Sequence, residues 1–153
     1  MPDRGPTPTV TTILALDFGL RRIGVASGDT LTRAARPRGA IGNGPGGPDW
    51  AALQRVLDDL RPTRIAVGEP YNADGSASPL TETARRFAAE LQQRSSLPVD
   101  LVDERWSSQD AEERLRAARA SGLKTRRVTA EDVDAAAAAV ILERWFESQP
   151  TNT

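Results

Sequence analysis

Apolar and polar positions in this chain follow two rhythms. Residues 9–16 run β-branched and then apolar. After a turn at residues 19–22 the apolar run resumes over 23–27, which predicts an antiparallel hairpin. Residues 34–41 predict a weaker third strand. Residues 42–48, Gly-Asn-Gly-Pro-Gly-Gly-Pro, predict a flexible connector too rich in glycine for regular structure. They lack the Gly-Lys-Ser/Thr of a phosphate loop. The spacing then changes to threes and fours. Trp50, Leu53, Val56, Leu57 and Leu60 predict a helix capped by Asp49 and closed by Pro62. Residues 64–68 predict a short buried strand, and Ser78-Pro79 opens a helix with Leu80, Ala84, Phe87, Ala88 and Leu91 inward. Residues 98–102 predict a fifth strand, ending at Asp103-Glu104-Arg105. Ser107 with Asp110 forms a capping box for a helix that Gly122 ends, its inward residues being Ala111, Leu115 and Ala118. Thr129 with Asp132 forms another, opening a last helix through about Phe146.

Three strands followed by helix, strand, helix, strand, helix, helix imply an α/β fold. The expected architecture is a mixed five-stranded sheet, an antiparallel meander followed by parallel strands, with helices on both faces. In such sheets sites form beyond the carboxyl ends of the parallel strands. Asp17, Glu69 and Glu104 all fall at or just past predicted strand ends. Residues 10–147 are expected to form one domain, between a disordered N-terminal tail at 1–9 and a C-terminal tail at 148–153. No internal repeat interrupts them.

Composition narrows the chemistry. The chain has no Cys and no His, which removes thiol nucleophiles, histidine bases and zinc sites of the usual kind. Catalysis must rest on carboxylates, hydroxyls, arginines or a hard cation. A net charge of -1 gives no global basic footprint, yet charge acts locally. Residues 114–127 carry Arg114, Arg116, Arg119, Lys124, Arg126 and Arg127 without an acid. The loop at Lys124, Arg126 and Arg127 is either a strand-tracking surface or a solvated segment. The Pro-rich start has no apolar core of a signal peptide, and the longest apolar run, 135–142, is far too short to span a membrane. A soluble, cytoplasmic protein is the expectation.

Asp17 ends the first strand, and a charge there costs several kcal/mol unless something pairs with it or binds it. Asp103 and Glu104 end the last strand. In the acidic start of the final helix, Asp132 belongs to the capping box and Glu131 suits the positive helix end. Asp134 lies further in, beside an alanine-rich face that lets the helix approach the sheet, and is the best third ligand. Carboxylates from separate elements suit Mg²⁺ or Mn²⁺, which in pairs about 3.5–4 Å apart clamp both oxygens of an in-line phosphoryl displacement. The alternative is structural: Asp17 caps a turn, Glu104 pairs with Arg105 or Arg22, and Asp134 faces solvent. Arg22 and Arg105 either hold a scissile phosphate or balance charge.

Taken together, 16–19 (Leu-Asp-Phe-Gly) with 22–26 (Arg-Ile-Gly-Val-Ala), 67–70 (Val-Gly-Glu-Pro) with Asn72 and Asp74-Gly75, Asp103-Glu104-Arg105, and Val133-Asp134 through Ile141-Leu142 resemble the YqgF/RuvX family. The four motifs stand in order over residues 12–146. The resemblance implies a ribonuclease H-like fold and a nuclease, the family being described as candidate Holliday junction resolvases or as the nuclease maturing the end of 16S ribosomal RNA. It implies that Asp17, Glu104 and Asp134 are the catalytic, metal-binding acids. Arg22, Arg105, Asn72, Lys124, Arg126 and Arg127 are the expected substrate contacts, on precursor rRNA or on branched or single-stranded DNA. Symmetric cutting of a four-way junction would require a homodimer.

Two departures leave the three acids intact. Glu69 and Tyr71 stand where the family resembles Gly-Leu-Pro-Leu-Asn, and Trp106-Ser107-Ser108 where Leu-Thr-Thr-like residues are usual. Trp106 either packs or stacks on a base. Two rival functions remain. Sugar kinases and actin-like ATPases also begin with a strand-Asp-x-Gly hairpin, but they need a second lobe that 153 residues do not supply. A non-catalytic nucleic-acid-binding ribosome-assembly factor is the other, and possession of all three acids weighs against it.

Overall fold

The computed structural model describes residues 9–72, 74–103 and 128–149, together with Glu113, Arg116 and Ala117. One sheet organises them. Its strands are β1 (Thr12–Phe18), β2 (Arg22–Asp29), β3 (Ala35–Gly44), β4 (Gly47–Pro48), β5 (Arg64–Glu69) and β6 (Val99–Asp103), in the spatial order β4-β3-β2-β1-β5-β6. The first four pair antiparallel, while β1-β5 and β5-β6 are parallel. The helices are α1 (Trp50–Leu60), α2 (Pro79–Ser95) and α3 (Ala130–Ser148).

Residues 42–48 depart from the expected flexible connector. β3 continues to Gly44, and Gly44 pairs with Gly47 across a two-residue Pro45-Gly46 loop, adding a sixth strand. The positive φ of Gly47, 93°, permits the tight reversal. Pro48 is tolerated because β4 is an edge strand with nothing beyond it to receive an N–H. The helix starts agree with the sequence. Asp49 accepts from the Ala52 N–H, Ser78 and Thr81 form a capping box ahead of a first-turn proline, and Thr129 and Asp132 form another. Helix α1 ends on Arg61 in the left-handed region, one residue before the proline. Helix α3 runs to Ser148, two residues past its expected end. The capping box expected at Ser107 and Asp110 lies outside the described residues.

Period-two alternation splits the sheet into two faces. Leu14, Leu16 and Phe18 of β1 join Ile23, Val25, Ile65 and Val67 in a core covered by Leu53 of α1 and Ala84, Phe87 and Leu91 of α2. Ile13, Ala15, Ala26 and Ala66 face the other way, against Ala138, Ala139, Ile141, Leu142, Trp145 and Phe146 of α3. That second layer is built from small residues for a reason. A Cβ on Gly24 would collide with the Asp134 carbonyl oxygen, and one on Gly28 would press on Leu142 and Phe146. Helix α3 therefore lies close along β2, with its N-terminus over Gly24 and its fifth turn over Gly28. Among the described residues no helix is long and apolar enough to cross a membrane.

Candidate active site

The carboxyl ends of β1, β5 and β6 share one edge of the sheet, and antiparallel β2 begins there. Asp17 is the penultimate residue of β1 and follows Ile13 and Ala15 on the α3 face. Its register partner is Gly24. Since the Asp134 backbone rests on Gly24, the fold brings Asp17 and Asp134 to one corner from positions more than a hundred residues apart in sequence. Asp17 is half-buried and has a partner of its own within the chain.

Asp134 is held by Arg22. The guanidinium Nε donates to Asp134 Oδ2 at 2.6 Å, with the two side chains 36% and 25% exposed. This hydrogen bond, followed by the charge of Asp134, raises the Arg22 pKa further above its ordinary value, and Glu131 adds a weaker pull in the same direction. The other oxygen, Oδ1, accepts no hydrogen bond among the described residues, so a ligand position stays available. Asp132, two residues earlier, faces differently: its Oδ2 accepts from the Thr129 N–H at 2.8 Å, as a capping residue should. The sequence argument that separates these two carboxylates thus has a geometric counterpart. About 200° of helix rotation divides them.

Asp17 and Asp134 offer hard oxygen donors of the kind Mg²⁺ and Mn²⁺ take, and the positive end of α3 points into the same corner. Among the described residues no group of three acidic side chains assembles that could hold a metal ion. Glu104 follows β6 directly in sequence and lies outside the described residues, as do Arg105, Trp106, Lys124, Arg126 and Arg127.

Glu69 does not join this corner. It follows Ile65 and Val67 on the opposite face, where Arg85 of α2 donates to its carboxylate and the Tyr71 hydroxyl donates to Oε1 at 2.6 Å. Arg85 also bonds the Tyr71 oxygen at 3.0 Å. The hydrogen bond to Glu69 raises the Tyr71 pKa, Arg85 pulling the other way. The acidic residue at the loop entrance is therefore neutralised locally, together with the tyrosine that departs from the family pattern beside it. Asn72 likewise serves its own loop. Its Nδ2 donates to Ser76 Oγ at 2.9 Å, and its backbone bonds Ser76 and Gly75. A substrate contact by Asn72 would compete with that turn. Asp100, never singled out from sequence, ties the edge strand to α3 by accepting from the Trp145 indole at 2.8 Å and from Arg64.

A family model described as "RuvX: Holliday junction resolvase" matches residues 11–148. This chain belongs to the RuvX family. Holliday junction resolvases are hydrolases of phosphodiester bonds, and that enzyme class goes with RuvX membership. A relative from Xanthomonas campestris pv. campestris is 45% identical over 97% of this chain and 95% of its own, and one from Xanthomonas axonopodis pv. citri is 46% identical over 95% and 94%. Both carry names that make them candidate pre-16S rRNA nucleases. Among solved structures the chain resembles Thermus thermophilus RuvC bound to a Holliday junction substrate, with a TM-score of 0.57 at 19% identity over 90% of this chain and 94% of that one. A second Thermus thermophilus RuvC structure gives 0.53. The likeness to RuvC establishes the ribonuclease H-like fold of this RuvX chain.

Proposed function

We propose that this protein is a nuclease that hydrolyses phosphodiester bonds in structured nucleic acid through Mg²⁺ or Mn²⁺ held by Asp17, Glu104 and Asp134, within one domain over residues 10–147. The observation that carries the reading is the meeting of Asp17 and Asp134 at one corner through Gly24. The bound cation would polarise the scissile phosphate and supply a hydroxide nucleophile. The chain's own residues do the rest. Asp17 and Asp134 bring negative charge to a fixed corner, and Arg22 fixes the rotamer of Asp134 through Oδ2 while leaving Oδ1 for the ion. Arg22 stays charged throughout, so it also meets the developing negative charge on the phosphate.

Relatives alike over nearly the whole chain favour the end of the 16S rRNA precursor as substrate, and a cytoplasmic location goes with it. Branched DNA is the second reading, favoured by the family description. Cutting a junction symmetrically would need two sites related by a two-fold axis. Labelled precursor rRNA, a four-way DNA junction and single-stranded DNA, incubated side by side with purified protein and Mn²⁺ or Mg²⁺, decide between them. Binding without cleavage of any would instead identify an assembly factor.

Three further outcomes are expected. Asp132→Ala should lower stability by about 0.5–2 kcal/mol through loss of the capping box and spare turnover. Asp134→Ala should abolish turnover, while the partly exposed pair with Arg22 adds at most about 1 kcal/mol to stability. Thermal melts with single-turnover rates separate the two, and an active Asp134→Ala protein would show that the wrong carboxylate was chosen. Replacing Lys124, Arg126 and Arg127 with Ala should weaken binding and flatten its salt dependence by about one unit of slope per lost phosphate contact. Binding isotherms at several salt concentrations check this.

A further inference from the structure

On the opposite face of the sheet from the acid corner, a groove of about 300 Å³ opens between the β1–β2 turn, the β3–β4 hairpin and α2. It begins one residue from the acid corner. Asp17 points to α3, while Phe18, next in the strand, contributes to the groove. Its floor is rigid and apolar. Phe87 packs against Phe18 with ring centroids 4.9 Å apart and stacks with Trp50 at 5.5 Å, and the Arg94 guanidinium sits 4.1 Å from the Trp50 ring centroid. Leu20 stands at the lip, 75% exposed on a turn otherwise made of glycine and arginines.

Two polar groups make this more than an apolar dent. Asn43 is only 8% exposed and lines the groove. Its Nδ2 donates to the Gly19 carbonyl at 2.6 Å, which orients the amide and leaves Oδ1 without a donor among the described residues. The Oδ1 atom is thereby a pre-oriented acceptor at the groove wall, open to a donor from a ligand. Arg86, exposed on the α2 wall, makes no ion pair among the described residues, whereas its neighbour Arg85 is engaged by Glu69 and Tyr71.

We infer that this groove is a nucleobase subsite for a nucleotide flanking the scissile phosphate. The proposal rests on the nuclease reading above for its substrate strand. A base entering over Leu20 lies against the Trp50 edge of the floor and gives an amino or imino N–H to Asn43 Oδ1, while Arg86 meets the backbone phosphate. Charge and continuity favour a nucleic acid over a protein side chain: the lip is the arginine-bearing turn of the acid corner itself, the one acid in the lining, Glu90, is neutralised by Arg94 at 2.7 Å, and the wall cation Arg86, without an ion pair among the described residues, matches a phosphate. The strand would cross the sheet edge at Gly19, its phosphate at Asp17 and its base behind Phe18.

The test uses the full chain and a set of single-stranded RNA oligonucleotides of one sequence, in which one base at a time is removed to leave an abasic position. Binding is measured in Ca²⁺ and cleavage in Mn²⁺. One abasic position beside the cut should weaken binding to the wild-type protein about tenfold. The double variant Leu20→Ser/Arg86→Ala, changed only at exposed sites, should bind the intact oligonucleotide about tenfold less tightly and be indifferent to that abasic position. Asn43→Leu, which is close in size and has no acceptor, should show the same indifference with a weaker loss. Equal abasic penalties in wild type and variants, or none in either, would overturn the subsite while cleavage leaves the nuclease reading intact. An abasic penalty abolished by the variants, in a protein that cuts nothing, would uphold the subsite and overturn the nuclease. Unchanged oligonucleotide binding by the double variant, with loss of a protein partner instead, would also overturn it.

Discussion

Asp17→Asn is expected to abolish cleavage in Mn²⁺ while leaving the thermal melt within a few degrees of wild type. The substitution is isosteric and the side chain is half-buried, so packing changes little. What it removes is the negative charge of a proposed metal ligand that already has a partner within the chain, so the melt should move little in either direction. Residues that merely support metal ligands change affinity or activity by about 10–100-fold when replaced. A loss well beyond 100-fold in single-turnover rate is therefore the expected signature of a ligand. Metal titration followed by the melt gives a second readout, since an ion that binds only the folded state raises its apparent stability. Full activity of Asp17→Asn would sink the assignment of Asp17 and with it the site.

Gly24→Ala carries the largest expected structural effect. The new methyl would meet the Asp134 backbone oxygen well inside van der Waals contact, and neither side can yield cheaply. One lies within a strand paired on both edges, and the other begins the second turn of α3. Overpacking of this kind costs about 3 kcal/mol, at the upper end of the usual range. Because the clash sits under Asp134 and beside Asp17, it should also separate the acids. The melt should fall by several degrees, and the activity still measurable in the folded fraction should fall further than stability alone predicts. Gly42→Ala is a matched control, since nothing lies within 4 Å of its added methyl. Equal melts for the two variants would mean that α3 does not lie on β2 as described.

Much of this was legible from residues alone. The continuous apolar runs in residues 9–27 identify strands buried on both faces, and the three-four spacing from Trp50 and from Leu80 identifies helices that bury one, because burial writes its pattern into the chain. The caps at Asp49, Ser78 and Thr129 were readable because capping is a contact over three residues. The same locality separates Asp132 from Asp134, whose difference in direction is fixed by helical rotation. The β3–β4 hairpin was hidden because three of its four paired residues, Gly44, Gly47 and Pro48, are of the kinds that also make loops, and only pairing tells the two apart. Glu69 at a strand end looked like Asp17 at a strand end. One residue of register decides the face of a strand, and only the packed helices show which face is which.

The sequence by itself determined most of the described elements, the order of its motifs, the absence of His and Cys, and therefore the kind of chemistry open to this protein. Each follows from local geometry or from composition, which no fold alters. The tertiary structure decided which charges meet: Arg22 with Asp134, Glu69 with Arg85 and Tyr71, and the Asn43 amide with the Gly19 carbonyl. A salt bridge across 112 residues has no local signature, because it depends on how closely α3 settles on β2. That closeness depends on the missing side chain of Gly24 beneath the Asp134 carbonyl.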